Sequence, residues 1–270
     1  MRTVFFISDR TGITAEALGN SLLTQFTDIE FKRVNLAFID TPSKAKNAAN
    51  QVKEASEADG QPALIFSTQI SKEYRQLLIN SGGIFFDFFE TFISELEETL
   101  GTKSSHTVGL SHSVTDKNTY GNRIDSINYA LSCDDGLNIK NYARAEIILT
   151  GVSRSGKTPT CLFLALQYGI FAANYPLIEE DLKTIKLPTI LQKNKNKLFG
   201  LSINPVRLQN IRDERRSNSG YASIDQCRKE IKLAEDMFVQ NQVPFLDTSH
   251  TSIEEIAGRI LNKSSIKRRY

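Results

Sequence analysis

Apolar and polar positions along the chain alternate between two periods. Val4 to Ser8 is a short β-rich run, and Thr14 to Phe26 follows with Ala17, Leu18, Leu22 and Phe26 at helical spacing. Phe31 to Ile39 reads as a second strand. Ser43 to Ala58, rich in Ala, Lys and Glu, reads as a surface helix closed by Gly60 and Pro62. Ala63 to Thr68 is a third strand, Lys72 to Ile79 a helix ended by Ser81-Gly82-Gly83, Ile84 to Phe88 a fourth strand, and Glu90 to Leu100 a helix ended by Gly101. A β-α-β-α order of this kind predicts a mostly parallel sheet with helices on both faces.

Gly101 to Asn122 breaks the rhythm, being rich in Ser, Thr, Gly and Asn. So long a structureless loop is unusual inside one domain, so a boundary is expected there: an N-terminal α/β domain over 1–101, a linker over 102–122, and a second domain over 123–270. Arg123 to Leu131 is helical in pattern and leads to Cys133-Asp134-Asp135-Gly136. The alternation then restarts. Strands are predicted at Ala145 to Thr150, Ile170 to Ala173, Lys197 to Ile203 and Val243 to Leu246. Helices are predicted at Lys157 to Tyr168, Glu179 to Ile185, from Pro205 onward, and at Ser223 to Gln240 and Ser252 to Leu261. Thr251 with Glu254 has the pattern of a capping box for the last of these. No internal repeat is visible in the sequence. The fold class is α/β: an N-terminal parallel-sheet unit followed by a P-loop kinase-like α/β domain.

The chemistry concentrates at Gly151-Val152-Ser153-Arg154-Ser155-Gly156-Lys157-Thr158, a full match to G-x-x-x-x-G-K-[ST] between an Ile-Ile-Leu strand and an apolar helix. Glycine permits backbone angles at which successive N–H groups turn towards a phosphate, and the helix that follows offers its free N–H groups and dipole to the same anion. Lys157 can reach the terminal phosphate oxygens, and Thr158 offers a hydroxyl to Mg²⁺. Downstream, Arg207, Arg212, Arg215 and Arg216 follow a strand. They read either as a cationic lid over the phosphates or as a solvated helix face paired with Asp213 and Glu214. Asp134 and Asp135 can hold Mg²⁺ or take a proton from an attacking hydroxyl, or simply form an Asx turn. Ser8-Asp9-Arg10-Thr11-Gly12 sits after the first strand, where α/β sheets bind ligands; capping of the next helix by Thr11 or Thr14 is the plainer reading. His250, after the last strand, is a weaker candidate.

Composition narrows the classes. The net charge of +2 over 270 residues lacks the basic excess of a dedicated nucleic-acid binder. No run approaches the roughly 20 apolar residues needed to span a bilayer. The N-terminal run lacks a small-residue cleavage site and reads as a strand, not a signal peptide. Three dispersed cysteines with no CxxC pair predict reduced thiols in a cytoplasmic protein, and three scattered histidines predict no zinc site. Asn194-Lys195-Asn196-Lys197 lacks the acid of a GTPase base-reading motif.

Taken together, several segments resemble the bacterial regulatory proteins of phosphoenolpyruvate synthetase, bifunctional kinases and phosphotransferases acting on pyruvate, water dikinase. They are Phe6-Ile7-Ser8-Asp9, Arg123 to Tyr129 leading to Asp134-Asp135-Gly136, the loop extended to Pro159-Thr160, and Ala172-Ala173-Asn174-Tyr175-Pro176. Leu198-Phe199-Gly200-Leu201, Ile211 to Arg216, Tyr221-Ala222-Ser223 and Gln226-Cys227-Arg228 complete the set. Some relatives carry His where this chain has Cys133. The resemblance implies ADP-dependent phosphorylation of a threonine on the synthetase, which inactivates it, and phosphate-dependent removal of that group with release of pyrophosphate. It implies ADP and inorganic phosphate as substrates, Mg²⁺ as cofactor, and the synthetase as protein partner; whether the chain forms a homodimer stays open. The loop motif makes residues 151–158 the expected nucleotide site with Thr158 toward the metal, and residue chemistry makes Lys157, Asp134, Asp135, Arg212, Arg215 and Arg216 the expected catalytic set. A regulator of pyruvate, phosphate dikinase and an ATP-dependent small-metabolite kinase are the alternatives, as is a nucleotide switch without transfer.

Overall fold

The structure is a computed structural model that describes residues 1–105, 107, 117–215, 220–264 and 266. The chain divides into two compact units, Met1–Ser113 and Val114–Tyr270. In the first, β1 (Arg2–Ile7), β2 (Phe31–Leu36), β3 (Leu64–Ser67) and β4 (Ile84–Asp87) form a parallel sheet in the order β2-β1-β3-β4. The connecting helices are α1 (Ile13–Leu23), α2 (Pro42–Asp59) and α3 (Lys72–Ile79), with α4 (Glu90–Leu100) after the last strand. Alternation of side chains along the strands splits the core by face. Phe5, Ile7 and Ile65 pack with Ala45, Ala48 and Val52 of α2 and Leu78 of α3. Val4, Phe6 and Phe66 pack with Ala15 and Leu23 of α1. The expected cap of α1 by Thr11 or Thr14 is replaced by Gly12, in the left-handed region with φ 76° and no side-chain cap.

In the second unit, β5 (Ile147–Val152), β6 (Ala172–Leu177), β7 (Leu198–Ser202) and β8 (Phe245–Asp247) pair in parallel as β6-β5-β7-β8. That is the strand order of the first unit over again, a structural repeat with no visible sequence repeat behind it. Around this sheet lie α5 (Lys117–Ser132), α6 (Lys157–Tyr168), α7 (Glu179–Leu182), α8 (Thr189–Lys193), α9 (Pro205–Arg215), α10 (Ile224–Gln240) and α11 (Ile253–Lys263). Every residue of β5 is buried, because helices cover both of its faces. Pro205 stands at the first position of α9, where its missing N–H costs nothing.

Three further expectations change. Helix α5 starts at Lys117, inside the range read as linker; the rest of that linker, apart from residues 102–105 and 107, lies outside the described residues. The strand read as Ile170 to Ala173 runs instead over Ala172–Leu177, because pairing with β5 carries it through Tyr175 and Pro176. The last helix is capped by Ser252, whose Oγ accepts the Glu255 amide at 3.2 Å, and not by Thr251 with Glu254. Among the described residues no helix is long and apolar enough to cross a membrane.

Candidate active site

Residues 151–158 join the carboxyl end of β5 to the amino end of α6, as the motif requires. Gly151 is needed for a reason the motif alone does not supply. With φ 153°, a Cβ there would lie 2.2 Å from the Leu201 carbonyl of β7, so the neighbouring strand excludes any side chain. Gly156 has φ 89° and precedes α6, and a Cβ there would meet nothing within 4 Å, so only its backbone angle calls for glycine.

The loop's backbone groups divide into occupied carbonyls and free amides. Val152 O accepts from Lys157 Nζ at 2.8 Å, Ser153 O from Arg212 Nη2 at 3.3 Å, and Ser155 O from Thr248 Oγ1 at 3.3 Å. The amides of Arg154, Gly156, Lys157 and Thr158 make no hydrogen bond among the described residues. Ser155 Oγ is buried without a partner among the described residues. Free N–H groups at the start of a helix, with a buried hydroxyl beside them, are the makings of an anion site. Lys157 is 4 % exposed. Burial lowers its ammonium from the ordinary 10.5 to about 8, opposed by the charges of Asp135 and Asp134 and assisted by Arg154.

The acidic pair belongs to this site. Residues Asp134–Gly136 form one turn of 3₁₀ helix after α5, with Asp135 in the left-handed region at φ 47°. Thr158 Oγ1 donates to Asp134 Oδ1 at 2.8 Å. Asn174, which sequence reasoning did not single out as a site residue, holds the arrangement together. It is fully buried on β6; its Nδ2 donates to Asp134 Oδ1 and its Oδ1 accepts the Asp135 amide at 3.0 Å. Its backbone is fixed as well: its amide donates to Cys133 O at 3.2 Å and its carbonyl accepts from Tyr142 Oη at 2.7 Å. In the sequence it stood only within the resemblance segment Ala172-Ala173-Asn174-Tyr175-Pro176, one residue beyond the strand read there. Asp135 is exposed, and it is the nearby charge that most favours the protonated form of Lys157. Cys133 is buried in the apolar core beside the turn.

The expected lid does not form from Arg212. That side chain is fully buried, and its guanidinium pairs with Glu230 at 2.6 Å, donates to Tyr221 O at 3.0 Å and lies 4.0 Å from the Tyr221 ring centroid. It braces the loop from behind. Arg215 is exposed on the last turn of α9, and Arg216 lies outside the described residues. Arg207 is also committed, donating to the Ser249 carbonyl. His250 is exposed. A cavity of about 450 Å³ opens beside Ser153, lined by Leu177, Ile178, Glu179, Arg212, Tyr221 and Glu230. Among the described residues no cluster of three or more His, Cys, Asp or Glu could hold a metal. The hydroxyl of Thr158 against the Asp134 carboxylate is nonetheless a hard oxygen pair of the kind Mg²⁺ takes alongside water and phosphate oxygens.

A model of the kinase/pyrophosphorylase family matches residues 4–261. A protein of Alkalilimnicola ehrlichii is 52 % identical over 268 residues, which is 99 % of this chain and 97 % of the relative. One of Hahella chejuensis is 51 % identical over 267 residues, 99 % of this chain and 98 % of the relative. One of Pseudomonas aeruginosa is 48 % identical over 269 residues, 100 % of this chain and 98 % of the relative. Each is provisionally named a phosphoenolpyruvate synthase regulatory protein.

Proposed function

Because the chain belongs to the kinase/pyrophosphorylase family, we propose that it moves phosphoryl groups on and off a threonine of phosphoenolpyruvate synthase, with ADP as donor in one direction and inorganic phosphate as acceptor in the other. The observation that carries this reading is the junction of Asp134 and Thr158, 2.8 Å apart, which sets an acidic turn against the first residues of the phosphate-binding helix. A phosphate-binding loop beside a free carboxylate is the minimum equipment for transfer to a hydroxyl.

The roles follow from the partners each group already has. In ADP the β-phosphate is terminal, and this type of loop surrounds a β-phosphate. The free amides of Arg154, Gly156, Lys157 and Thr158 would grip its oxygens, and Lys157 would exchange the Val152 carbonyl for them. Asp134 and Thr158 would hold Mg²⁺, which when bound neutralises phosphate charge. With Asp134 held by Thr158 and Asn174, the exposed Asp135 is the carboxylate left to accept the threonine proton. The threonine oxygen then bonds to the β-phosphorus as the bond to the α-phosphate oxygen breaks, and AMP leaves. In reverse, inorganic phosphate attacks the phosphothreonine, pyrophosphate forms, and Asp135 returns the proton to the threonine oxygen. Arg215 and Arg216 would meet the second phosphate. All three cysteines are buried free thiols, which fits a reducing cytoplasm.

The test is mass spectrometry of phosphoenolpyruvate synthase, with pyruvate, phosphate dikinase in parallel, after incubation with this protein and either ADP or ATP, free of adenylate kinase. A new phosphothreonine on the synthase with ADP alone is expected. Strict dependence on ATP, or modification of the other dikinase only, would overturn the assignment.

A further inference from the structure

Arg212 cannot both hold the loop and close over a substrate, and its partners identify the first duty. Nη2 bridges Glu230 Oε2 at 2.6 Å and Ser153 O at 3.3 Å, while Nη1 donates to Tyr221 O. The other Glu230 oxygen accepts from Gln226 Nε2 at 2.8 Å, so the carboxylate is fixed from both sides. Glu230 and Gln226 lie one turn apart on α10, which is capped by Ser223.

A peptide unit is planar and trans, so the Ser153 carbonyl and the Arg154 N–H point in opposite directions. Drawing that carbonyl towards Arg212 turns the Arg154 amide the other way, where it has no partner among the described residues. Arg154 has φ 76°, a left-handed conformation that a non-glycine residue adopts only when its surroundings impose it. We propose that Glu230 is a positioning residue of the phosphate-binding loop: through Arg212 it locks the Ser153–Arg154 peptide in the orientation that offers the Arg154 amide to a phosphate. Arg212 then acts as a brace and not as a phosphate ligand.

This rests on the reading of residues 151–158 as a nucleotide site, and Glu230→Gln separates the two roles. The substitution keeps shape, removes the anchor and leaves Arg212 its charge. A brace predicts that affinity for ADP and for inorganic phosphate, by isothermal titration, falls by about tenfold or more, since a misplaced binding group is costly. Arg212→Lys should fall equally, because an ammonium cannot make the forked contacts. Were Arg212 a direct ligand, releasing it in Glu230→Gln would leave phosphate affinity unchanged or raised, and Lys would partly rescue. A ligand-independent readout covers the case in which nothing binds: the Arg154 amide ¹⁵N resonance of the free protein should move in Glu230→Gln, and move less in Gln226→Met, which loosens Glu230 without removing it. An unmoved Arg154 resonance, or unchanged affinity in a folded Glu230→Gln protein, overturns the proposal. Failure of the wild-type protein to bind ADP, with the resonance moved, would overturn the nucleotide reading and leave the brace standing.

Discussion

The two units share a strand order but differ at the junction where the first strand of each meets its helix. After β5 comes a loop in which the amides of Arg154, Gly156, Lys157 and Thr158 have no partner among the described residues, and whose helix opens on Lys157, which is 4 % exposed. After β1 comes Ser8-Asp9-Arg10-Thr11-Gly12, with α1 opening on Ile13, which is 60 % exposed. Asp9 is buried there, and burial raises its carboxyl above the ordinary value. One junction presents a cation to the end of its sheet and the other an acid. The shared topology therefore leaves the two junctions chemically different, and the phosphate site we propose at the second rests on the cation at its helix start and on the acidic turn that meets it.

The largest expected effect comes from removing that cation. Lys157→Met should lower transfer by about 10²-fold or more, as loss of a group that stabilises transition-state charge does. It should also make the protein more stable. The ammonium titrates near 8 in the fold against an ordinary 10.5, so the folded state binds this proton less tightly than the unfolded chain. The penalty is present in full below about pH 8 and vanishes as pH rises towards 10.5. Urea unfolding at pH 7 should show a gain on the order of 2 kcal/mol, allowing for the lost Val152 hydrogen bond. The equivalent change in the first unit, Ile13→Ala, should alter neither ADP affinity nor stability beyond about 0.5 kcal/mol.

Next comes the acidic turn. Asp135→Asn should cut turnover by about 10²-fold or more while ADP affinity holds, since a general base acts on the chemical step. Asp134→Asn should instead raise the Mg²⁺ concentration needed for half-maximal activity. Titration of Mg²⁺ at fixed ADP distinguishes them, and full activity in both variants would remove the acidic pair from the mechanism. Asn174→Ala should cost about 1–3 kcal/mol by unpairing buried groups, and should lower activity without abolishing it.

The smallest effect is on pH. The value of kcat/KM for ADP reports the free enzyme, and should fall as pH rises through about 8, where Lys157 loses its proton. The kcat profile should break at higher pH, because bound phosphate favours the charged lysine. A kcat/KM profile flat to pH 9 would contradict the role given to Lys157.

What could be read in advance was local. The helix Lys157–Tyr168 and the loop before it follow from a contiguous motif, and α3 and α4 from their place after a strand and the stops at Ser81-Gly82-Gly83 and Gly101. Asn174 could not be read so, because its role depends on β6 lying beside β5 in the register that sets it opposite Leu149. Nor could Arg212: in sequence it stands among charges that suggest an exposed face, and only the packing of α10 against α9 brings Glu230, 18 residues on, to bury it. The need for Gly151 lay equally far off, in the carbonyl of Leu201. Residues whose partners sit on another strand or helix carry no short-range signal.

On the proposed function, the second unit hands the β-phosphoryl group of ADP to a protein threonine. Incubating the protein with phosphoenolpyruvate synthase and ADP labelled at the β-phosphorus tests it directly. The account predicts label on a synthase threonine, an equal quantity of AMP, and release of the label as pyrophosphate when inorganic phosphate is added. Label that stays in ADP, while γ-labelled ATP modifies the synthase, would contradict it.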